Sequence, residues 1–194
     1  SILIASSGLI TLWLGGVKIK YFFISFIGFL ISLPFIISFL KPYQKLRILT
    51  FLDPDRDPLG AGYQIIQSKI AIGSGGFDGK GFLKGTQSKM NFLPAKETDF
   101  IFCTIGEEWG FLGCGLVIGL YVFLMMRILY LSEKHSSKFS KVYGYAIVCV
   151  LMMHFIINIG MTIGVIPVIG IPLPFISFGG SSMWAFTLLL FFFL

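Results

Sequence analysis

Residues 100–131 read FIFCTIGEEWGFLGCGLVIGLYVFLMMRILYL, a 32-residue apolar run whose only charged members are Glu107, Glu108 and Arg127. A helix rises about 1.5 Å per residue and needs about 20 residues to cross the ~30 Å hydrocarbon layer. The run is therefore a membrane helix with length to spare. Working outward, Tyr21 to Leu40 is a second run of that kind, and Ser1–Val17, Val142–Gly164 and Phe178–Leu194 give three more, the last one short. The expected fold class is all-α, a polytopic transmembrane helical bundle. Composition leads to the same place. Hydrophobic residues make up 56% of the 194 and charged residues 12%, against about 25% charged in an average soluble domain. A soluble globule of this size has too little interior for that much apolar surface. Disorder is excluded on the same ground, and three Cys are too few for a disulfide scaffold.

The net charge of +6 and pI near 9.3 would raise the question of nucleic acid in a soluble chain. Here the charges sit in one long loop and two short connectors. Membrane topology and anionic lipid-linked partners account for them, and no nucleic acid is expected. Lys18 and Lys20 precede the second span, and Lys134, Lys138 and Lys141 lie between the third and fourth. Parity puts both connectors on one side, and short basic loops mark the cytoplasm. The connector Val165–Ser177 carries no charge, as the opposite side should. The loop at 41–99 is too polar to cross and is placed outside, as a large extracytoplasmic loop. The chain opens and closes inside apolar runs, which predicts a piece of a longer protein cut at both ends.

The loop has turn signals at Asp53-Pro54 and Asp57-Pro58. A helix-like stretch follows, Tyr63 to Ile72, with Ile65, Ile66 and Ile70 roughly on one face. Then come Gly73, Gly75, Gly76, Gly79, Gly81 and Gly85. Gly79-Lys80 is followed by Gly81 where a P-loop needs Ser or Thr, so nucleotide binding is set aside. Two readings of the glycines stay open: tight folding at the membrane surface, or backbone N–H groups from Gly73, Gly75 and Gly76 approaching a phosphate. Lys69 and Lys96 stand next to apolar residues that hold a cation at depth, where it acts more strongly than in water. In Leu93-Pro94-Ala95-Lys96-Glu97-Thr98-Asp99-Phe100, a carboxylate stands directly before the longest helix; Thr98 is expected to cap it, leaving Asp99 in the first turn. Glu107 and Glu108 lie inside the span, where ionisable residues are costly and face a cavity or a partner. Cavity residue and structural ion pair are both open for them. His154 and Asn158, four apart in the fourth span, are read as a polar pair on one helix face. With no third ligand in view, His154 is not read as a metal site. The apolar connector with Pro167, Pro172 and Pro174 is expected to dip back and bury itself against protein.

These motifs, in this order, resemble the SEDS proteins (shape, elongation, division and sporulation), which polymerise lipid-linked peptidoglycan precursor. The resemblance rests on Tyr63 to Gly76, on Leu93-Pro94 through Thr98-Asp99-Phe100-Ile101-Phe102 with Gly106-Glu107-Glu108 behind it, and on Pro167 through Gly179-Gly180. Gln67-Ser68-Lys69 and Gly85-Thr86-Gln87 look more like the elongation branch than the division branch. The resemblance implies a ten-span protein of which this chain is the C-terminal part, residues 1–194 forming part of one membrane domain, in the bacterial cytoplasmic membrane.

It also implies an activity and a site. The family joins the sugar of one lipid II to a growing glycan on undecaprenyl pyrophosphate and expels the pyrophosphate. Its essential acidic residue falls on Asp99, the implied catalytic base. Read from the residues themselves, Lys69 and Lys96 are the candidate diphosphate contacts and Gln67, Ser68, Gly73, Gly75 and Gly76 the further candidate substrate contacts, with Glu97, Glu107 and Glu108 behind them. Ala95 and Glu97 depart from the family pattern, which bears on the fine geometry of the loop. One carboxylate is a sufficient base, because pyrophosphate leaves as a stable anion and needs cations rather than an acid. Lys residues or a divalent ion, Mg²⁺ or Mn²⁺, would supply them. A free Asp titrates near 3.9, and Lys96 and a helix N-terminus would lower it, whereas Glu97 and burial on substrate binding would raise it. The implied partner is a class B penicillin-binding transpeptidase. A flippase for the same precursor and a non-catalytic scaffold are the competing functions.

Overall fold

The computed structural model describes residues 2–39, 49–50, 60–89 and 95–194. The two Pro-Asp turn signals and Leu93-Pro94 lie outside them. The described residues form seven helices and no strand: α1 (Ile2–Leu14), α2 (Ile19–Phe39), α3 (Ala61–Gly75), α4 (Thr86–Lys89), α5 (Ile101–Lys134), α6 (Lys138–Ile163) and α7 (Gly180–Phe191). Two of them, α5 and α6, are long and apolar enough to cross a membrane by length and composition. The expected loop helix at 63–72 is α3, extended at both ends.

Helix ends are set by glycine in the left-handed region. Gly16 (φ +92°) closes α1, with the Gly16 N–H donating to the Trp13 carbonyl and the Val17 N–H to the Leu12 carbonyl. Gly164 (φ +79°) closes α6 in the same way, through the Met161 and Gly160 carbonyls. Both are Schellman motifs, which satisfy the last carbonyls of a helix without side chains. Ser137 starts α6, its hydroxyl accepting from the Ser140 N–H at 3.1 Å.

Helix α6 is the central post, with α1, α3 and α5 packed against it. Gly144 lies so close to Ser132 that a Cβ there would stand 1.9 Å from the Ser132 hydroxyl. Small residues at such crossings let backbones approach. Gly15 packs against Val142, so the α1–α2 and α5–α6 turns share one end, as parity requires. Ile128, Ile147, Val148, Leu151 and Phe186 fill the core near that end. At the other end, Val168 of the Pro-rich connector joins Ile65, Ala71, Phe100 and Cys103, and Leu173 joins Phe102, Val117 and Tyr121. The connector thus lies against protein, while Val165, Ile169 and Phe178 face outward.

One feature of α5 is absent from any reading of its sequence. Gly110 has φ +61° and ψ −155°, so the helix is broken there. In an unbroken helix the Phe111 and Leu112 N–H groups would donate to the Glu107 and Glu108 carbonyls. Instead they donate to Gly76 (3.0 Å) and Phe77 (3.3 Å), while the Glu107 and Glu108 carbonyls accept from the Lys80 (3.0 Å) and Gly81 (2.9 Å) N–H groups. The loop after α3 fills the gap, bond for bond. The contact is backbone on backbone: a Cβ on Gly110 would lie 2.4 Å from the Gly79 nitrogen, one on Gly79 2.2 Å from the Glu108 carbonyl oxygen, and one on Gly75 1.9 Å from that of Gly106. Gly110→Ala is expected to destabilise the full-length protein by about 3 kcal/mol, from a conformation open essentially to glycine alone plus the overlap. Thermal unfolding in detergent measures it; an unchanged midpoint would mean that the break does not depend on Gly110.

Candidate active site

The segment before α5 is built on one carbonyl. Ala95 adopts φ +57°, and its carbonyl accepts from the Thr98 N–H (3.1 Å) and the Phe100 N–H (3.2 Å). The Thr98 hydroxyl donates to the same oxygen at 3.2 Å. This corrects the expected cap: α5 begins at Ile101, Phe100 precedes it, and no side chain caps it. Asp99 therefore sits in a turn outside the helix.

Three successive carbonyls of this turn are tied down from the connector side. The Phe178 N–H donates to Glu97 at 2.8 Å. The Ser177 hydroxyl donates to Thr98 at 2.6 Å and accepts from the Leu173 N–H at 2.7 Å. The Asn158 side-chain amide donates to Asp99 at 2.9 Å and to Ile171 at 2.7 Å. The Tyr121 hydroxyl of α5 secures the connector further through the Pro174 carbonyl. The Asp99 carboxylate rests against Gly170 (φ +77°), where a Cβ would stand 3.1 Å from Oδ2. Burial pushes the Asp99 carboxyl above the usual carboxylate range. Burial outweighs the lowering expected from Lys96 and the helix N-terminus.

Lys69 reaches the same connector at its start, its Cε 2.4 Å from where a Cβ on Gly164 would be. Lys69 and Asp99 thus flank a six-residue step, at most about 20 Å long when extended. Lys96 is half-buried and Glu97 exposed in the turn. Ser68 is buried, its hydroxyl shared between the Ile65 and Thr162 carbonyls (both 2.8 Å), so it is a strut from α3 to α6. Gln67 is half-buried; Gly73 and Gly76 are exposed, with open space where a Cβ would go; Gly75 faces α5.

The two acids inside the span part company. Glu107 is fully buried, and its Oε1 accepts from the Lys80 ammonium (3.0 Å), the Thr86 hydroxyl (3.2 Å) and the Gln87 N–H (2.9 Å). It fastens the 80–87 stretch to α5. Glu108 lines an open groove of about 350 Å³ with Asp78, Phe82, Trp109 and Leu116. Among the described residues, no three His, Cys, Asp or Glu are grouped for a metal. His154 and Asn158 do not pair: His154 Nδ1 lies 2.8 Å from the Val150 carbonyl oxygen. Asn158 and Ser177 are the site residues that sequence reasoning missed. The available signal was a buried-type position in mid-span occupied by an amide.

A helical membrane protein with a folded loop plugged into a broken span, and a half-buried aspartate at that end, is the class defined by these features. Residues 1–193 match the FtsW/RodA/SpoVE family of cell cycle proteins. The chain belongs to that family, the one its motifs resemble. It is 45% identical over 184 residues to the peptidoglycan glycosyltransferase MrdB of Escherichia coli (strain K12), covering 94% of this chain and 50% of that protein. It is 48% identical over 145 residues to the peptidoglycan glycosyltransferase RodA of Treponema pallidum (strain Nichols), covering 75% and 34%. A chain of a solved peptidoglycan synthase complex, described by its coordination of polymerization and crosslinking, superposes with a TM-score of 0.77 at 31% identity, covering 99% of this chain and 53% of that one. The chain spans about half the length of these relatives or less.

Glu107→Leu leaves the Lys80 ammonium and the Gln87 N–H without their shared acceptor, a change in the range of about 3–5 kcal/mol for a broken buried pair. Amide hydrogen exchange over residues 80–89 is expected to accelerate at least about tenfold, with Glu107→Gln between wild type and Leu. Equal protection in all three would show that Glu107 does not anchor the loop.

Proposed function

We propose that this chain carries the base-bearing part of a peptidoglycan glycosyltransferase that polymerises lipid II in cell elongation and shape maintenance. The observation that carries the reading is Asp99: a half-buried carboxylate in a turn whose three successive carbonyls, Glu97, Thr98 and Asp99, each accept a hydrogen bond, at the end of the bundle where loop and connector meet. Asp99 takes the proton of the acceptor 4-hydroxyl. The freed oxygen attacks the donor anomeric carbon, the bond to the pyrophosphate breaks, and undecaprenyl pyrophosphate leaves as an anion. Direct displacement inverts the anomeric centre. A raised pKa suits a base working near neutrality. Lys69 and Lys96 are the cations proposed for the departing diphosphate, with Gln67 and the open backbone at Gly73 and Gly76 beside them. Among the described residues no three metal-ligating side chains are grouped, so a Mg²⁺ or Mn²⁺ ion would be held by the diphosphate oxygens and water; it would neutralise diphosphate charge and leave Asp99 free as the base.

The site end faces the periplasm and the Lys134–Lys141 end the cytoplasm, in the inner membrane, with lipid II reaching Asp99 from the outer leaflet. A class B penicillin-binding transpeptidase is the proposed partner, supported by this chain's likeness to a chain of a synthase complex described as coordinating polymerization and crosslinking. The broken α5 also invites a transporter. Against it, the fully buried acid Glu107 is bound to Lys80 and the loop rather than lining a path.

The full-length protein with its transpeptidase, given lipid II, tests this. Asp99→Asn is expected to lower the polymerisation rate by about 10²–10⁴-fold, the range for a general base. Lipid movement without polymer would favour the flippase, and binding of the partner with neither would favour the scaffold. Stability gives a separate check. The protonated Asp99 fits the fold better than the charged form, so its stabilising contribution is complete below about pH 3.9 and is lost as pH rises to the elevated native value. Asp99→Asn is expected to unfold at a higher temperature than wild type at pH 7 and at the same temperature near pH 4. A variant less stable at pH 7 would show the charge to be favourably held.

A further inference from the structure

We infer that Asn158 is the positioning residue for Asp99, holding the base against the connector through its own backbone carbonyl; this rests on Asp99 acting as the base. Asn158 is fully buried on α6. Its two amide hydrogens go to carbonyls of two separate segments, Asp99 before α5 and Ile171 in the connector. Among the described residues no other side chain joins these two segments at residue 99 itself; Ser177 acts one residue earlier, on Thr98. The two carbonyl partners also fix the amide's orientation. Turned over, it would set Oδ1 against two carbonyl oxygens.

That orientation leaves Asn158 Oδ1 buried with no hydrogen-bond partner among the described residues. An unpaired buried oxygen is a net cost to stability. Core packing alone does not call for an amide here; the join it makes does. On the far side, Gly170 stands against the Asp99 carboxylate. The connector therefore meets Asp99 at two points, backbone through Asn158 and Ile171, carboxylate at Gly170. A base displaced by about 1 Å loses on the order of 10²-fold in rate. Asn158 sits where such a displacement is prevented, without touching substrate.

The test uses the full-length protein with its transpeptidase and lipid II as substrate, comparing Asn158→Leu, Asn158→Asp and Asp99→Asn. Gly144→Ala, at the opposite end of α6, serves as a destabilised control with unchanged turnover per folded molecule. Asn158→Leu is expected to lower kcat about 10²-fold with KM within threefold, and to shift the acidic limb of the pH–rate profile. Asn158→Asp donates one hydrogen bond while protonated, so its rate relative to wild type is expected to fall as pH rises. A kcat for Asn158→Leu within threefold of wild type, a rise in KM alone, or a loss equal to that of Gly144→Ala at matched stability would each overturn the inference. Should Asn158→Leu fail to fold, the pH trend of Asn158→Asp decides, a flat ratio to wild type overturning it. Polymer formed by Asp99→Asn at the wild-type rate would remove the underlying reading and would be recognised as that, whatever Asn158→Leu does.

Discussion

The exchange of backbone hydrogen bonds at Gly110 is the constraint on which the rest depends. Breaking α5 frees two carbonyls and two N–H groups inside a span. Left unpaired in hydrocarbon, each would cost on the order of a few kcal/mol. The loop at 76–81 supplies the missing partners in the same order in which the helix lost them. The break and the loop are thus one structure: neither is stable at that depth without the other. Glycine at 75, 79 and 110 follows from this, because backbone meets backbone with no room for a Cβ.

Once the loop is plugged into α5, its neighbours are fixed in turn. Ser68 ties α3 to α6, Glu107 gathers Lys80, Thr86 and Gln87, and Lys69 comes to rest over the end of α6. The turn bearing Asp99 is held differently, by carbonyls rather than side chains. Hydrogen bonds to the Glu97, Thr98 and Asp99 carbonyls set the backbone, and among the described residues the carboxylate enters no ion pair. A carboxylate that is held in place but not neutralised by a cation keeps the elevated pKa that burial gives it.

The two long spans, α5 and α6, were legible because apolar length is a one-dimensional signal. The shared end of the two basic turns followed from counting crossings, and the connector's burial followed from its lack of charge. The helix in the loop showed through Ile65, Ile66 and Ile70. What could not be read were contacts made by backbone atoms. Trp109-Gly110-Phe111 looks like ordinary span sequence, since glycine is common in membrane helices. The glycines at 75–81 announced a close approach without saying to what. Lys80 lies 27 residues from Glu107, and nothing local joins them. Thr98 looked like a cap because Thr before a helix often is one; the Ala95 carbonyl, exposed by a left-handed residue, captured its hydroxyl first.

The same distinction explains why Asn158 was assigned to the wrong partner. Four residues from His154, it satisfies the spacing rule for a helix-face pair, and a helix in isolation offers it little else. In the bundle two carbonyls from non-helical segments compete for the amide. They win because those carbonyls have no helical donor of their own, whereas His154 already has the Val150 carbonyl beside its Nδ1. Non-helical backbone at membrane depth must find donors on neighbouring helices. Wherever such a segment carries a reactive side chain, the neighbouring donor fixes that side chain's place. A buried amide facing a broken or irregular segment, as Asn158 faces the turn at Asp99, therefore ties that segment's backbone to the bundle.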